Sequence, residues 1–173
     1  MRKLFVFVLT LFVLGLNASA QILPKGNIFV GYAYERFGQN SGGAANFNGW
    51  EASAEGKFLF HWFGLVLDAN GDYGIPHGIS VKQYNFLAGP RVTFSFGKVR
   101  PFVHVLGGYA RMNNSVAGFS DTDHSFAYVG GGGFDYKMLR VFAWRVQGDY
   151  LRTQFFGATQ KSARISTGLV FNF

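Results

Sequence analysis

The sequence predicts an all-β fold, an eight-stranded antiparallel up-and-down transmembrane β-barrel. Apolar residues alternate with small, polar or charged ones from Asn27 onward, and this period of two is typical of β-strands. About eight such segments have the roughly 9–11 residues that a tilted membrane strand needs. The chain contains 24 Gly, 21 Phe and 8 Tyr, yet only 14% of its residues are charged. That charge content is low for a soluble surface.

Each predicted strand has one apolar, aromatic face and one small, polar or charged face, because successive side chains point to opposite sides of a sheet. In the fifth strand, His104 is expected to point inward. The predicted strands, each with its apolar face, are 27–37 (Ile28, Val30, Tyr32, Tyr34), 49–59 (Trp50, Ala52, Ala54, Gly56, Phe58), 64–73 (Leu65, Leu67, Ala69, Tyr73), 83–96 (Tyr84, Phe86, Ala88, Val92, Phe94, Phe96), 102–111 (Val103, Val105, Tyr109), 125–137 (Phe126, Tyr128, Phe134, Tyr136), 141–152 (Trp144, Val146, Tyr150) and 162–173 (Ile165, Thr167, Leu169, Phe171, Phe173).

The apolar faces are expected to meet lipid. A soluble barrel would point them inward, but here the opposite faces carry the Gly, Ser and charged residues that suit a narrow polar lumen. Aromatic residues should then form two rims, where their rings meet the membrane interfaces. The predicted outer rim contains Tyr34, Trp50, Tyr73, Tyr84, Phe126 and Tyr150, and the inner rim contains Trp62, Phe96, Phe102, Tyr136, Trp144, Phe171 and Phe173.

The predicted connections alternate in length. Short turns are expected at 60–63, 97–101 and 138–140, and longer polar loops at 38–48, 74–82, 112–124 and 153–161. Membrane barrels have short periplasmic turns and longer outer loops, so this pattern predicts a periplasmic N-terminus. Pro90 lies within the fourth strand, where it cannot donate to the ladder, and a bulge or local irregularity is expected at Gly89–Pro90.

The first twenty residues predict a cleaved signal peptide. Arg2 and Lys3 precede an apolar run from Leu4 to Leu16, and Ala18-Ser19-Ala20 has the small-x-small form that signal peptidase reads. Residues 1–20 are therefore expected to be removed and residues 21–173 to form one barrel domain. Loss of the two cations lowers the formal charge from +7 to +5. An uncleaved anchor is the alternative, which the shortness of the apolar run disfavours.

Charged residues on the inward faces are expected to form an ion network in the lumen. Buried charges must be paired, and an eight-stranded barrel is barely wide enough for its own side chains, so the interior should be plugged. Transport or catalysis by these residues is the less favoured alternative. The predicted network contains Glu35, Glu51, Glu55, Lys57, Asp68, Asp72, Arg91, Asp135, Arg145, Asp149 and Arg164.

No enzymatic activity, metal or cofactor is expected. Asp123, His124 and Ser125 are consecutive, so on a strand they point to alternate faces and do not form a catalytic triad. His77 is interpreted as a solvated loop residue. The four His residues are scattered, and the chain has no Cys to complete a metal site. The glycines from Gly130 to Gly133 lack the Lys-Ser/Thr ending of a phosphate loop and should instead let a strand bend.

The final strand, Ala163–Phe173, and the segment Arg145–Tyr150 resemble the OmpA-like eight-stranded outer-membrane β-barrel family over residues 21–173. The resemblance implies an outer-membrane location in a Gram-negative-type bacterium. It also implies that Leu169, Phe171 and Phe173 are the C-terminal signal for the barrel-assembly machinery, with periplasmic chaperones as transient partners. No cell-wall-binding domain is expected after the barrel.

The function favoured by the sequence is structural, a barrel that supports envelope integrity with a plugged lumen. A narrow small-solute channel and an adhesin acting through its outer loops are the alternatives. Lipid partners, including lipopolysaccharide, are expected at cations near the outer rim, and phospholipid head groups at the inner turns. No basic helix or block suggests nucleic acid. The outer cations are Lys82, Arg111, Arg152 and Lys161, and the inner ones are Lys98, Arg100, Lys137 and Arg140.

Overall fold

The structure, a computed structural model, describes residues 25–38, 44–57, 62–74, 80–116, 119–155 and 158–173. These residues form one closed barrel in which every strand is antiparallel to both neighbours, so the predicted fold is confirmed. Within the described ranges, no helix is long and apolar enough to cross a membrane. The predicted signal peptide lies outside those ranges. The strands are β1 (Gly26–Gly38), β2 (Ala44–Lys57), β3 (Phe63–Gly74), β4 (Ser80–Thr93), β5 (Val99–Val116), β6 (Phe119–Lys137), β7 (Phe142–Phe155) and β8 (Ala158–Asn172).

The barrel closes where the first and last strands meet. β1 and β8 pair from Asn27–Asn172 up to Gly38–Lys161. Below this ladder, the backbone N–H groups of Gly26 and Phe173 each donate to the other residue's carbonyl at 3.1 Å. Closure matters because an open edge would leave unpaired backbone groups. We call the end of the barrel that holds Gly26 and Phe173 the lower end, and the opposite end the upper end.

The predicted faces agree with the structure in the described parts of all eight strands. Val30, Leu67, Val105 and Ile165, for example, are about 60% exposed on the outside. The inward positions are buried, and His104 is among them, as expected. Phe102 is the exception. It was predicted to lie in the inner aromatic rim, but it is only 3% exposed and lies in the lumen. Strand parity, by which we mean that even-numbered and odd-numbered positions of a strand face opposite sides of the sheet, explains this. Phe102 and His104 are both even-numbered positions of β5, so both point into the lumen.

The connections contradict the predicted alternation of short lower turns and long upper loops. The residues between strands at the upper end are 39–43, 75–79, 117–118 and 156–157, and those at the lower end are 58–62, 94–98 and 138–141. The predicted loop 112–124 is almost entirely strand, since β5 and β6 stay paired up to Val116–Phe119. Polar side chains do not end a barrel strand, because the ladder is made by backbone groups.

Pro90 produces a local gap in one ladder without a bulge. β4 pairs with β5 at Ala88–Gly107 and again at Arg91–His104, with two residues between these pairs on each strand. The register is therefore unchanged, and no extra residue is inserted. A Cβ on Gly89 would lie 2.1 Å from the Val105 carbonyl oxygen, so glycine lets the two strands approach there.

Candidate functional site in the barrel lumen

The lumen is lined by most of the acidic residues of the chain. Seven of the nine Asp and Glu residues are buried there, together with three arginines that are at most 1% exposed. Ten of the eleven residues of the predicted network are buried, and Lys57 is half-buried at the lower end of β2. These residues lie together because each has inward parity on its strand. The buried ten are Glu35, Glu51, Glu55, Asp68, Asp72, Arg91, Asp135, Arg145, Asp149 and Arg164.

Arg164 on β8 is the centre of the ion network. It donates to one carboxylate oxygen of Asp149 on β7, with nitrogen–oxygen distances of 2.6 Å and 3.2 Å. Its guanidinium also lies 3.5 Å from Glu51 on β2 and 3.8 Å from Asp68 on β3. Gln147 and Ser166 donate to Glu51, each at 2.5 Å. One arginine therefore joins carboxylates from three strands that surround the lumen.

A second centre is formed by Arg91 on β4. It contacts Glu55 at 3.3 Å, and Asn27 donates to the same carboxylate oxygen at 2.7 Å. Arg91 is also 3.2 Å from Nδ1 of His104, whose Nε2 is 2.8 Å from Asp149. Because Arg91 can only donate, Nδ1 accepts and Nε2–H donates to Asp149. His104 thus links the Arg91 and Arg164 centres.

Arg145 on β7 forms the third centre. It holds Asp135 on β6 through two parallel bonds of 2.6 Å and 3.0 Å, the strong fork geometry of an arginine–carboxylate pair. Its guanidinium carbon lies 4.8 Å from the ring centroid of Phe102, and Arg91 lies 4.3 Å from the same ring. The buried Phe102 ring therefore accepts cation–π contacts from two arginines, which explains why an aromatic residue occupies this polar lumen.

Near the upper end, the polar side chains are mostly acceptors or neutral amides. Ser162 donates to Glu35, and both carboxylate oxygens of the neighbouring Asp72 are buried without a hydrogen-bond donor. A chain of amides lies beside them. Gln83 donates to Asn85 at 3.1 Å, and Asn85 donates to Asn70 at 2.7 Å. No ion pair involves Glu35 or Asp72 among the described residues.

The lumen charges separate into two groups by height. We call Glu35, Glu51, Asp68, Asp72, Asp149 and Arg164 the upper group, and Lys57, Glu55, Arg91, Arg100, Asp135 and Arg145 the lower group. The lower group contacts Asn27 and Asn172, which lie near the closed end of β1 and β8. The formal charge is −4 in the upper group and +2 in the lower group, so the two ends of the lumen have opposite sign.

Sequence reasoning missed the neutral members of the network. His104, Gln147 and Ser166 were expected to point inward but were not assigned to the network, and Asn27 was not considered. All four are buried and hydrogen-bonded to a charged partner. The available signal was parity, because each shares the inward face of its strand with a predicted charge.

Glycines make room for these side chains. On β6, a Cβ at Gly131 would lie 2.0 Å from Asp149 Oδ1, and one at Gly133 would lie 2.2 Å from the Val146 carbonyl oxygen. Gly130, which faces outward, has nothing within 4 Å of an added Cβ. The run of glycines thus has different roles on its two faces, and its inward members allow the Asp149 carboxylate to reach Arg164.

The candidate catalytic residues do not form a site. His124 is exposed on the outer face and stacks on Tyr109, with ring centroids 5.4 Å apart, whereas Ser125 is buried on the inner face. His77 lies outside the described residues. No group of three or more His, Cys, Asp or Glu side chains is arranged to hold a metal ion in the part of the chain that the structure describes.

The outer surface carries aromatic residues and cations near its upper end. Trp50 donates to the Tyr73 hydroxyl at 3.3 Å, and the hydroxyls of Tyr73 and Tyr84 are 3.3 Å apart, so these predicted rim residues form one line. Arg152 and Lys161 lie directly opposite each other on β7 and β8. The exposed upper cations are Arg36, Lys82, Arg111, Arg152 and Lys161, of which Arg36 was not predicted.

Comparisons with known proteins identify the fold. No protein-family model matches the chain, and no curated protein matches it. Neisserial surface protein A (NspA) is similar in structure, with a TM-score of 0.75 and 15% identity over 86% of this chain and 97% of that one. Ail of Yersinia pestis has a TM-score of 0.65 and 16% identity over 88% and 100%. The N-terminal β-barrel domain of Pseudomonas aeruginosa OprF has a TM-score of 0.51 and 16% identity over 85% and 97%. The predicted resemblance to eight-stranded outer-membrane barrels is therefore confirmed for the fold.

Proposed function

We propose that this chain is a non-enzymatic scaffold of a bacterial outer membrane, with strands that cross the bilayer and a lumen closed to solutes. The exposed apolar residues support membrane insertion. Val30, Leu67, Val105 and Ile165 lie on four strands around the barrel and are each about 60% exposed. Soluble monomers rarely expose an apolar surface that continuous. In a bilayer, the same surface would contact acyl chains, so it would avoid the free-energy cost of exposing apolar side chains to water.

The membrane proposal is tested by purifying the chain with and without detergent. We expect a folded monomer in detergent micelles and aggregation when the detergent is removed, because the apolar exterior then meets water. Circular dichroism reports the β-structure, and analytical ultracentrifugation reports the mass of the particle. A folded monomer in plain buffer would contradict the proposal.

The closed lumen is supported by the contacts of Arg164. This one side chain joins carboxylates on β2, β3 and β7 from its place on β8, so it spans the cross-section of the barrel. The Arg91 and Arg145 centres fill the lumen below it. A solute would have to displace several buried ion pairs, and each such break is costly.

Conductance in planar lipid bilayers tests whether the lumen is closed. We expect little steady current from the wild-type chain. The double variant Arg145→Ala/Arg164→Ala should conduct, since it empties two levels of the lumen. Arg152→Ala is the matched control, because it removes an exposed arginine from the outer face of β7. A large, steady wild-type conductance would instead support the narrow-channel alternative.

Surface recognition is a second candidate, and the pair Arg152–Lys161 favours it. Like charges directly opposite on neighbouring strands repel each other, so an anion between them would be stabilising. Ail has been crystallised in complex with the heparin analogue sucrose octasulfate. Binding of that compound to the folded chain, lost in Arg152→Gln/Lys161→Gln, would support recognition of sulfated glycans. The same cations could meet lipopolysaccharide phosphates, so liposomes with and without lipopolysaccharide form the second arm of the test.

Recognition of the last strand by the assembly machinery is also proposed. Leu169 and Phe171 face outward on β8, Phe173 directly follows the strand, and all three are 43–56% exposed in the closed barrel. An assembly factor would meet these side chains before β8 pairs with β1. Their exposure is consistent with a signal that is read during insertion and then faces lipid.

A further inference from the structure

The upper lumen contains two carboxylates that form no ion pair with any cation in the part of the chain that the structure describes. Glu35 and Asp72 are both fully buried, and their carboxyl groups are neighbours in the lumen. Arg164 is the one base of the upper group, and its Nε and Nη2 atoms already contact Asp149, Glu51 and Asp68. Its Nη1 atom has no hydrogen-bond partner, but no nitrogen of Arg164 forms an ion pair with Glu35 or Asp72. Two carboxylates can only accept hydrogen bonds, so their contact needs a positive charge or a proton between them.

An unpartnered amide oxygen lies on the strand next to Asp72. Gln83 is fully buried and lies directly opposite Asp72 in the β3–β4 ladder. Its amide nitrogen donates to Asn85, so its carbonyl oxygen Oε1 is left without a donor. Glu35 Oε2 and both carboxylate oxygens of Asp72 are also buried without a hydrogen-bond donor. Four buried acceptor oxygens thus lie on three strands, and buried polar atoms are rarely left unsatisfied.

The backbone of β2 provides the space for these oxygens. Glu35 on β1 and Asp72 on β3 lie on either side of β2, where Gly49 pairs with Asp72 on one side and with Ala33 on the other. A Cβ on Gly49 would lie 2.6 Å from Asp72 Oδ1 and 2.1 Å from the Gly71 carbonyl oxygen. Glycine at this position therefore leaves room for the Asp72 carboxylate next to β2.

We propose that Glu35, Asp72 and Gln83 bind a hard divalent cation in the upper lumen. A divalent ion neutralises the two carboxylates, whereas a shared proton would neutralise only one and would leave Gln83 Oε1 unsatisfied. Carboxylate and amide oxygens are the ligands that Ca²⁺ takes, in flexible geometry and with water in the remaining positions. Mg²⁺ requires near-ideal octahedral geometry and fits an irregular set of oxygens less well. This site goes beyond the scaffold function and does not depend on whether the lumen conducts.

Isothermal titration calorimetry of the folded full chain in detergent, after removal of metals with EDTA, tests the site with CaCl₂. We expect one Ca²⁺ per chain and a higher melting temperature in Ca²⁺ than in EDTA. Asp72→Asn and Glu35→Gln should each weaken Ca²⁺ binding by about tenfold or more, because affinity depends on the number of charged ligands. The matched control is Asp135→Asn in the lower group, which should keep the wild-type Ca²⁺ affinity although it loses the partner of Arg145.

A variant that fails to fold can be distinguished from one that folds but lacks the Ca²⁺ site by measuring its melting temperature in EDTA. There, Asp72→Asn should melt at or above the wild-type temperature, since it removes an uncompensated buried charge. Absence of Ca²⁺ binding by the folded wild-type chain would overturn the proposal, and so would unchanged Ca²⁺ binding by Asp72→Asn. If neither the wild-type chain nor Asp72→Asn binds Ca²⁺ and Asp72→Asn has the higher melting temperature, the carboxyl groups of Glu35 and Asp72 share a proton instead.

Discussion

Replacing Arg164 by methionine should strongly destabilise the barrel. Methionine is similar in length but has no charge, so the change leaves Asp149, Glu51 and Asp68 buried without their common partner. The two bonds to Asp149, at 2.6 Å and 3.2 Å, are charge-assisted and are worth about 1.5–3 kcal/mol each. Removing one partner of a buried ion pair costs about 3–5 kcal/mol, which is consistent with that sum. We therefore expect the free energy of unfolding to fall by about 3–5 kcal/mol.

Urea unfolding of the full chain in detergent, followed by tryptophan fluorescence, measures this loss. Arg152→Met is the matched control, because Arg152 is exposed on the neighbouring strand, and the expected change is within about 0.5 kcal/mol. The double variant Arg164→Met/Asp149→Leu should recover part of the loss, since it removes one of the stranded charges. A loss below about 1 kcal/mol for Arg164→Met would refute the view that these contacts hold the lumen together.

Three further changes test other parts of the structure. Gly133→Ala should prevent folding or cost several kcal/mol, because its Cβ would lie 2.2 Å from a backbone oxygen, whereas Gly130→Ala should be tolerated; refolding yields compare the two. Ile165→Arg, at the middle of β8, should cost about 2–4 kcal/mol in lipid vesicles, and a neutral result would show that this face does not meet acyl chains. Deletion of Phe173 should slow assembly in cells but leave refolding in detergent nearly unchanged; equal cellular levels of the folded barrel would argue against an assembly signal.

The fold was predictable because strand parity assigns every side chain to one of two environments. In β2, for example, Glu51 and Glu55 point inward and Trp50 outward by position alone, and the structure agrees. The errors arose where another criterion replaced parity. Phe102 was placed by its level in the barrel and by its aromatic character, and the loop 112–124 was inferred from polar composition. Neither criterion sets the direction of a side chain or the end of a backbone ladder.

Membership of the lumen network could be predicted, but the partners within it could not. Glu55 on β2 contacts Arg91 on β4, so the pair spans a strand that lies between its members. Such contacts depend on the stagger of all the strands around the barrel, which parity along one strand does not contain. His104 shows the same limit: its inward direction follows from parity, but its position between Arg91 and Asp149 follows only from the closed register.

The separation of charge along the lumen follows from the same register. A network of equal numbers of acids and bases could in principle satisfy itself, but here the upper group has five acids for one base. Arg164 forms ion pairs with Asp149, Glu51 and Asp68, and no ion pair involves Glu35 or Asp72 in the described part of the chain. The surplus bases of the lower group cannot move upward, because Arg91 and Arg145 are held by Glu55, Asp135 and the ring of Phe102. The packing that closes the lower lumen therefore leaves the upper lumen with five acidic side chains for one base.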